Sequence, residues 1–180
     1  PGQGLAIRTQ GLPFRHDWEK VITPVVDWAV AQPEVDAGAI VLMGLSMGGA
    51  LAPRAAAFEK RIKICIANPG VLNWGEAILS HLDAVPGLSK LLATNPTAFD
   101  RAVWSVFRAG NLAGGLLRSG EWWLRDSMWK HGAQTPSGML AELRKFDNTD
   151  VVDRIICKVL VMDGEAEEFS AGQARRLYGA

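Results

Sequence analysis

The sequence predicts an α/β fold, in which a parallel sheet is flanked by helices and interrupted by a helical insertion. Three short apolar runs, at residues 39–43, 62–67 and 158–162, have the length of buried strands. A continuous apolar run is typical of a strand that is covered on both faces. Helical patterns separate the runs, and strands that alternate with helices favour parallel layering.

Two helices are expected around the first strand. Residues 17–32 carry apolar side chains at helical spacing, with Asp17 at the position of an N-cap. Pro24 is expected either to kink this helix or to mark its first turn. The alanine-rich residues 50–59 predict a second, tightly packed helix despite Pro53.

The long central segment differs from the rest of the chain in composition and in its hydrophobic pattern. Residues 70–150 contain five of the seven tryptophans and several glycine breaks, with a helical pattern and no alternation typical of strands. We therefore expect an α/β core at residues 1–69 and 151–180, and a helical cap over a site at residues 70–150. Five tryptophans of this segment are interpreted as core residues, with an aromatic-binding pocket as the alternative. They are Trp74, Trp104, Trp122, Trp123 and Trp129.

Composition excludes several classes of partner. Nineteen basic residues balance 19 acidic ones, so no excess charge favours nucleic acid or an anionic membrane surface. No apolar run is long enough to span a bilayer, which predicts a soluble, cytoplasmic protein. The opening Pro1-Gly2-Gln3-Gly4 has the spacing of a tight loop leaving a strand, but no nucleotide-binding motif follows. Cys65 and Cys157 lie in apolar runs and are interpreted as reduced packing residues.

Gly44-Leu45-Ser46-Met47-Gly48 matches the G-x-S-x-G pattern between a predicted strand and a predicted helix. A strand that turns directly into a helix strains the central residue, and the flanking residues must be small for the backbones to pass. The pattern predicts a nucleophilic Ser46 at the sheet's carboxyl edge, with the Met47 N–H aimed at an oxyanion. The alternative is a capping serine in a chance match.

A nucleophilic serine needs a base and a carboxylate that orients it. In this architecture the chain order is Ser, acid, His, and none of His16, His81 and His131 follows the last strand. All three are interpreted as surface or packing residues. Residues 163–168 follow the last strand directly and hold four carboxylates, so they are the expected source of the acid, with a solvated acidic loop as the alternative.

Five segments together resemble α/β-hydrolases of the pigment-biosynthesis polyketide-shortening and 2,6-dihydroxypseudooxynicotine hydrolase group, close to FrsA-like esterases. The segments cover nearly the full chain: PGQG, FRHDWEKVITPVVDWAVAQPEVD, IVLMGLSMGGALAPRAAAFEKRI, IANPGV and VLVMDGEAEEFSAGQARRLY.

The resemblance implies a serine hydrolase with a helical cap and no metal or organic cofactor. Its substrate would be a small acyl compound, cleaved at an ester or at a C–C bond beside a ketone. Ser46 matches the family nucleophile, and Glu167 matches the catalytic acid, where relatives usually have aspartate. Pro69 and Leu72 depart from the acidic and aromatic residues of relatives, and Glu76 is a candidate for a further glutamate near the ketone.

The resemblance also predicts that the chain is a fragment. It begins with Pro1, and the family's catalytic histidine would lie beyond Ala180, so we expect negligible turnover from these 180 residues alone. A noncatalytic binding protein on the same scaffold is the alternative function, and an acyltransferase is another. The sequence leaves open the substrate and whether the protein forms a homodimer.

Overall fold

A computed structural model describes residues 1–115 and 117–180 as two compact units. Residues 1–15 and 79–143 form a helical unit, and residues 16–78 and 144–180 form a sheet unit. In chain order the elements are α1 (Gly4–Gln10), α2 (Glu19–Val30), β1 (Ile40–Leu45), α3 (Gly48–Phe58), β2 (Ile62–Asn68), α4 (Trp74–Ser80), α5 (Leu88–Thr94), α6 (Pro96–Leu112), α7 (Arg118–Lys130), α8 (Pro136–Leu143), β3 (Lys158–Val161) and α9 (Gln173–Gly179).

The sheet is parallel, as its apolar runs predict. Its strands lie in the order β1-β2-β3, and β2 pairs with both neighbours. Ile40, Leu42 and Cys157 pack on one face against a buried cluster that includes Ala52 and Cys65. The small side chains of α3 let that helix approach the sheet closely. Both cysteines are free, and burial raises the pKa of the Cys65 thiol to about 12.

The prediction that the strands are covered on both faces is wrong for the described structure. Alternate apolar residues of β1 and β3 are about half exposed on the second face, among them Val41, Met43, Leu45 and Leu160. Successive side chains of a strand point to opposite faces, so α3 covers only every second residue. The core of the sheet unit therefore lies on one side of the sheet.

The first amphipathic helix also differs from its prediction. α2 begins at Glu19, and its N-cap is Trp18 rather than Asp17, whose carboxylate pairs with Lys20 at 2.9 Å. Pro24 lies inside α2 and does not mark its first turn. Trp28, one of the apolar residues at helical spacing that the sequence places on the apolar face of this helix, is largely exposed.

The helical unit contains α1 and α5–α8, and within it the structure has no strand among the described residues. Residues 1–15 belong to this unit, whereas the sequence assigned them to the core. The Phe14 N–H donates to the carbonyl of Lys130 at 2.7 Å, and the Phe14 ring stacks on His131. No helix among the described residues is long and apolar enough to cross a membrane.

Candidate active site

Ser46 lies on the sharp turn between β1 and α3 with φ at +56°. This left-handed conformation costs a non-glycine residue about 1–3 kcal/mol, so surrounding contacts must hold it. The Ser46 N–H donates to the carbonyl of Asn68 on β2 at 2.8 Å, and its carbonyl accepts from the Gly49 N–H at 2.8 Å. The predicted backbone strain at the centre of the pattern is confirmed.

Close backbone approach explains two glycines around the turn. A Cβ on Gly44 would lie 1.9 Å from the Gly48 carbonyl oxygen, and one on Gly49 would lie 1.7 Å from the Pro69 carbonyl oxygen. Gly48 itself has open space at its Cβ position. The expectation that both glycines of the pattern are needed for packing therefore holds for Gly44. On the helix side of Ser46, the position that has no room for a side chain is Gly49, which lies one residue beyond the pattern.

The Ser46 side chain is exposed, and its Oγ makes no hydrogen bond with described residues of the sheet unit. Met47 is partly buried and precedes the first turn of α3. The Met47 N–H donates no hydrogen bond to the described residues of this unit. A helix N-terminus of this kind favours negative charge. The turn thus offers an accessible hydroxyl next to an unused amide.

The acidic loop emerges from the same sheet edge as Ser46, because β1 and β3 both run parallel to β2. Asp163 is exposed, and its carboxylate accepts from the Gly164 N–H at 3.0 Å. Glu167 is half-buried, and its Oε1 accepts from the Ser170 N–H at 2.8 Å. Its Oε2 receives no hydrogen bond from the described residues. Glu167 is therefore the more constrained of these two carboxylates.

Sequence patterns did not predict the buried polar residues of the sheet unit, three of which lie near the turn and the acidic loop. Asn148 is buried, and its amide donates to the carbonyl of Ala50 in the first turn of α3 at 2.8 Å. Gln173 is buried at the start of α9, and its Oε1 accepts from the Asn73 N–H at 2.9 Å. Ser170 is 3% exposed, and its Oγ has no hydrogen-bond partner. These residues brace the segments around the turn and the acidic loop.

Two of the histidines, His16 and His131, make packing contacts within their own units. His16 lies edge-on to Phe146 in the sheet unit, with ring centroids 6.5 Å apart. His131 stacks on Phe14 in the helical unit, and burial lowers its pKa to about 4. His81 lies in the 3-10 turn His81–Ala84.

The tryptophans divide into buried and exposed groups. Trp74 is buried and packs against Phe169 at a ring-centroid distance of 5.4 Å. In the helical unit, the Arg125 guanidinium covers Trp104 at 4.5 Å from the ring centroid. The core interpretation is wrong for three tryptophans of α7, which are exposed over roughly half of their surface or more: Trp122, Trp123 and Trp129.

The carboxylate of Glu76 is engaged on the surface. Its Oε1 pairs with Arg176 Nη1 at 2.7 Å, and both side chains are about half exposed. Two clefts of about 320 and 330 Å³ flank the outer edges of β1 and β3, and neither is lined by Ser46 or Glu167. Within the described residues, no group of three or more His, Cys, Asp or Glu side chains is arranged to hold a metal ion.

A sequence model of the alpha/beta hydrolase family matches residues 1–180. The chain belongs to this family. This α/β-hydrolase chain is 32% identical over 171 residues to the hydrolase ffsE of Aspergillus flavipes and 28% identical over 176 residues to the hydrolyase poxO of Penicillium oxalicum. Each match covers 89% of the chain, but only 36% and 39% of those relatives.

The hydrolase fold is also found among solved structures. The crystal structure of 2,6-dihydroxy-pseudo-oxynicotine hydrolase matches 99% of this chain and 40% of that protein, with a TM-score of 0.68 and 18% sequence identity. The chain thus spans about 40% of the length of the proteins it matches. Its parallel sheet with flanking helices is a partial α/β-hydrolase fold.

Proposed function

We propose that a protein carrying this chain is a serine hydrolase that forms an acyl-enzyme on Ser46. Its substrate is a small acyl compound, cleaved at an ester or at a C–C bond beside a ketone. The observation that carries the proposal is the exposed Ser46 hydroxyl, held at φ +56° between β1 and α3. The hydrolases among the relatives support the same reaction class.

The residues of the site have distinct roles in this reaction. A base removes the proton from Ser46 as its Oγ attacks the substrate carbonyl carbon, and the Met47 N–H donates to the resulting oxyanion. The protonated base then gives that proton to the departing alkoxide or enolate. Water resolves the acyl-enzyme by the reverse sequence of proton transfers. Glu167 orients the base and stabilises its charged form.

We propose that the base is a histidine outside residues 1–180. None of the chain's three histidines follows Glu167, and in folds whose nucleophilic serine lies on such a strand–helix turn the chain order is Ser, acid, His. The isolated chain is accordingly expected to show negligible turnover, because loss of the base costs several orders of magnitude in rate. Residues 70–150 are proposed to act as the cap that excludes water from the reaction.

A fluorophosphonate probe tests the nucleophile in a protein of the relatives' length that carries this chain. We expect covalent labelling at Ser46 that is lost in Ser46→Ala and kept in Ser105→Ala, since Ser105 is an exposed serine on α6. Replacement of the proposed acid, Glu167→Gln, should lower kcat by about 10³ to 10⁴-fold. A folded protein that the probe leaves unlabelled contradicts the proposal and supports a noncatalytic binding protein.

Product analysis separates the remaining alternatives. Incubation with an ester and with a ketone that has a cleavable neighbouring C–C bond identifies the bond that is broken. Added alcohol distinguishes hydrolysis from acyl transfer, because an acyltransferase yields the new ester in place of the free acid.

A further inference from the structure

Gln173 is a buried amide side chain between two functional segments of the sheet unit. It opens α9 and is 4% exposed. Its Oε1 accepts from the backbone N–H of Asn73 at 2.9 Å, across 100 residues of sequence. Buried polar groups in folded proteins are nearly always hydrogen-bonded. The hydrogen bond from Asn73 fixes the start of α9 against the segment that follows β2.

On one side, a short series of hydrogen bonds joins Gln173 to the acid. The Gln173 N–H donates to the Ser170 carbonyl at 3.0 Å, and the Ser170 N–H donates to Glu167 Oε1 at 2.8 Å. The Glu167 carboxylate is thereby held by one oxygen. Its other oxygen receives no hydrogen bond from described residues and is available to a base.

On the other side, the segment at residues 68–73 braces the Ser46 turn. The Asn68 carbonyl accepts from the Ser46 N–H at 2.8 Å, and the Val71 N–H donates to the Gly49 carbonyl at 3.2 Å. This segment therefore contacts both ends of the turn. A displacement of the segment relative to α9 changes the position of the acid relative to the nucleophile.

We infer that Gln173 is a positioning residue, which fixes Glu167 relative to Ser46 through its hydrogen bond to Asn73. The inference rests on the proposed function. Other contacts also join these parts of the chain. The Gly70 N–H donates to the carbonyl of Met162 at 2.9 Å, which fixes the end of β3 rather than the start of α9, and Leu72 shares a buried apolar cluster with Leu177 of α9. Two further contacts are less directional. The Glu76–Arg176 ion pair is half exposed and contributes little. The rings of Trp74 and Phe169 pack at 5.4 Å, and apolar packing tolerates small shifts.

Three substitutions test the role of Gln173 in a protein of the relatives' length. Gln173→Met keeps a similar side-chain volume and removes the acceptor. Gln173→Glu keeps an oxygen acceptor at the same reach and is the rescue variant. Arg176→Met is the matched control, because it removes another side-chain bridge from the same helix, α9, to α4.

The measurements are kcat and KM for p-nitrophenyl butyrate, the pH profile of kcat/KM, and the labelling rate of Ser46 by a fluorophosphonate. For Gln173→Met we expect kcat to fall at least tenfold while KM changes less than threefold. The apparent pKa of the base should also fall, because a misaligned carboxylate no longer favours the charged base. Gln173→Glu should return kcat to within threefold of the unmodified protein, and Arg176→Met should change it less than twofold.

The outcomes distinguish the two claims. If the unmodified protein is not labelled at Ser46, the proposed function fails. If it is labelled, and Gln173→Met leaves kcat and the pH profile unchanged, the inference alone is overturned. An equal loss in Gln173→Met and Arg176→Met also overturns it, because the effect is then general to α9. Should Gln173→Met not fold, Gln173→Asn, which withdraws the acceptor by one methylene, is judged by the same criteria.

Discussion

Gly49→Ala in α3 is expected to destabilise the protein strongly. Gly49 is helical, and alanine in an ordinary helix position is more stable than glycine by about 1 kcal/mol. A Cβ at this position would lie 1.7 Å from the Pro69 carbonyl oxygen, although real Cβ atoms essentially never come closer than 3.0 Å. The two backbones must therefore separate by at least about 1.3 Å, the difference between these distances.

The size of the loss follows from two effects. Inserting a methyl group into a packed core costs about 1–3 kcal/mol or more when backbone must move. The separation also weakens the hydrogen bond from the Val71 N–H to the Gly49 carbonyl, worth about 1 kcal/mol. Because the helix-propensity gain offsets the weakened hydrogen bond, the free energy of unfolding should fall by about 1–3 kcal/mol.

Urea-induced unfolding, followed by circular dichroism, measures this change. The matched control is Gly48→Ala, because Gly48 belongs to the same helix and its Cβ position faces open space. The control should be neutral or more stable by up to about 1 kcal/mol. Equal stability of the two variants would show that contact with Pro69 does not require glycine.

Three further predictions concern buried polar groups. Hydrogen bonding to Arg61 lowers the pKa of Glu59 from 4.5 to about 2, so its stabilisation is complete above pH 4.5 and is lost as the pH falls towards 2. Acid titration of the unfolding free energy should show about 2 kcal/mol of this dependence, and Glu59→Gln should remove it. Asn148→Leu should cost about 2–3 kcal/mol in urea unfolding, because the Ala50 carbonyl loses its buried donor. Ser170→Ala should keep or raise the free energy of unfolding in urea, because it removes a buried hydroxyl without a partner and keeps the N–H that holds Glu167. A fall of more than about 1 kcal/mol in that free energy would contradict this prediction.

Local patterns in the sequence predicted the strands and the turn. The apolar runs at residues 39–43, 62–67 and 158–162 correspond to β1, β2 and β3 within two residues at each end. The left-handed conformation of Ser46 follows from a motif of five adjacent residues. Such features depend on neighbours in the chain, so a single sequence contains the necessary signal.

Long-range contacts decide the features that the sequence did not predict. Asn148 reaches Ala50 across 98 residues, and Gln173 reaches Asn73 across 100 residues. Both lie outside the apolar runs, where amides ordinarily indicate loops and helix ends, so neither periodicity nor spacing distinguishes them from solvated residues. Their burial depends on which segments the parallel sheet brings to one edge. The strand–helix turn at Ser46 is thus specified locally, whereas its alignment with the acidic loop depends on tertiary hydrogen bonds. Substitutions at these amides should perturb the alignment and leave the turn intact.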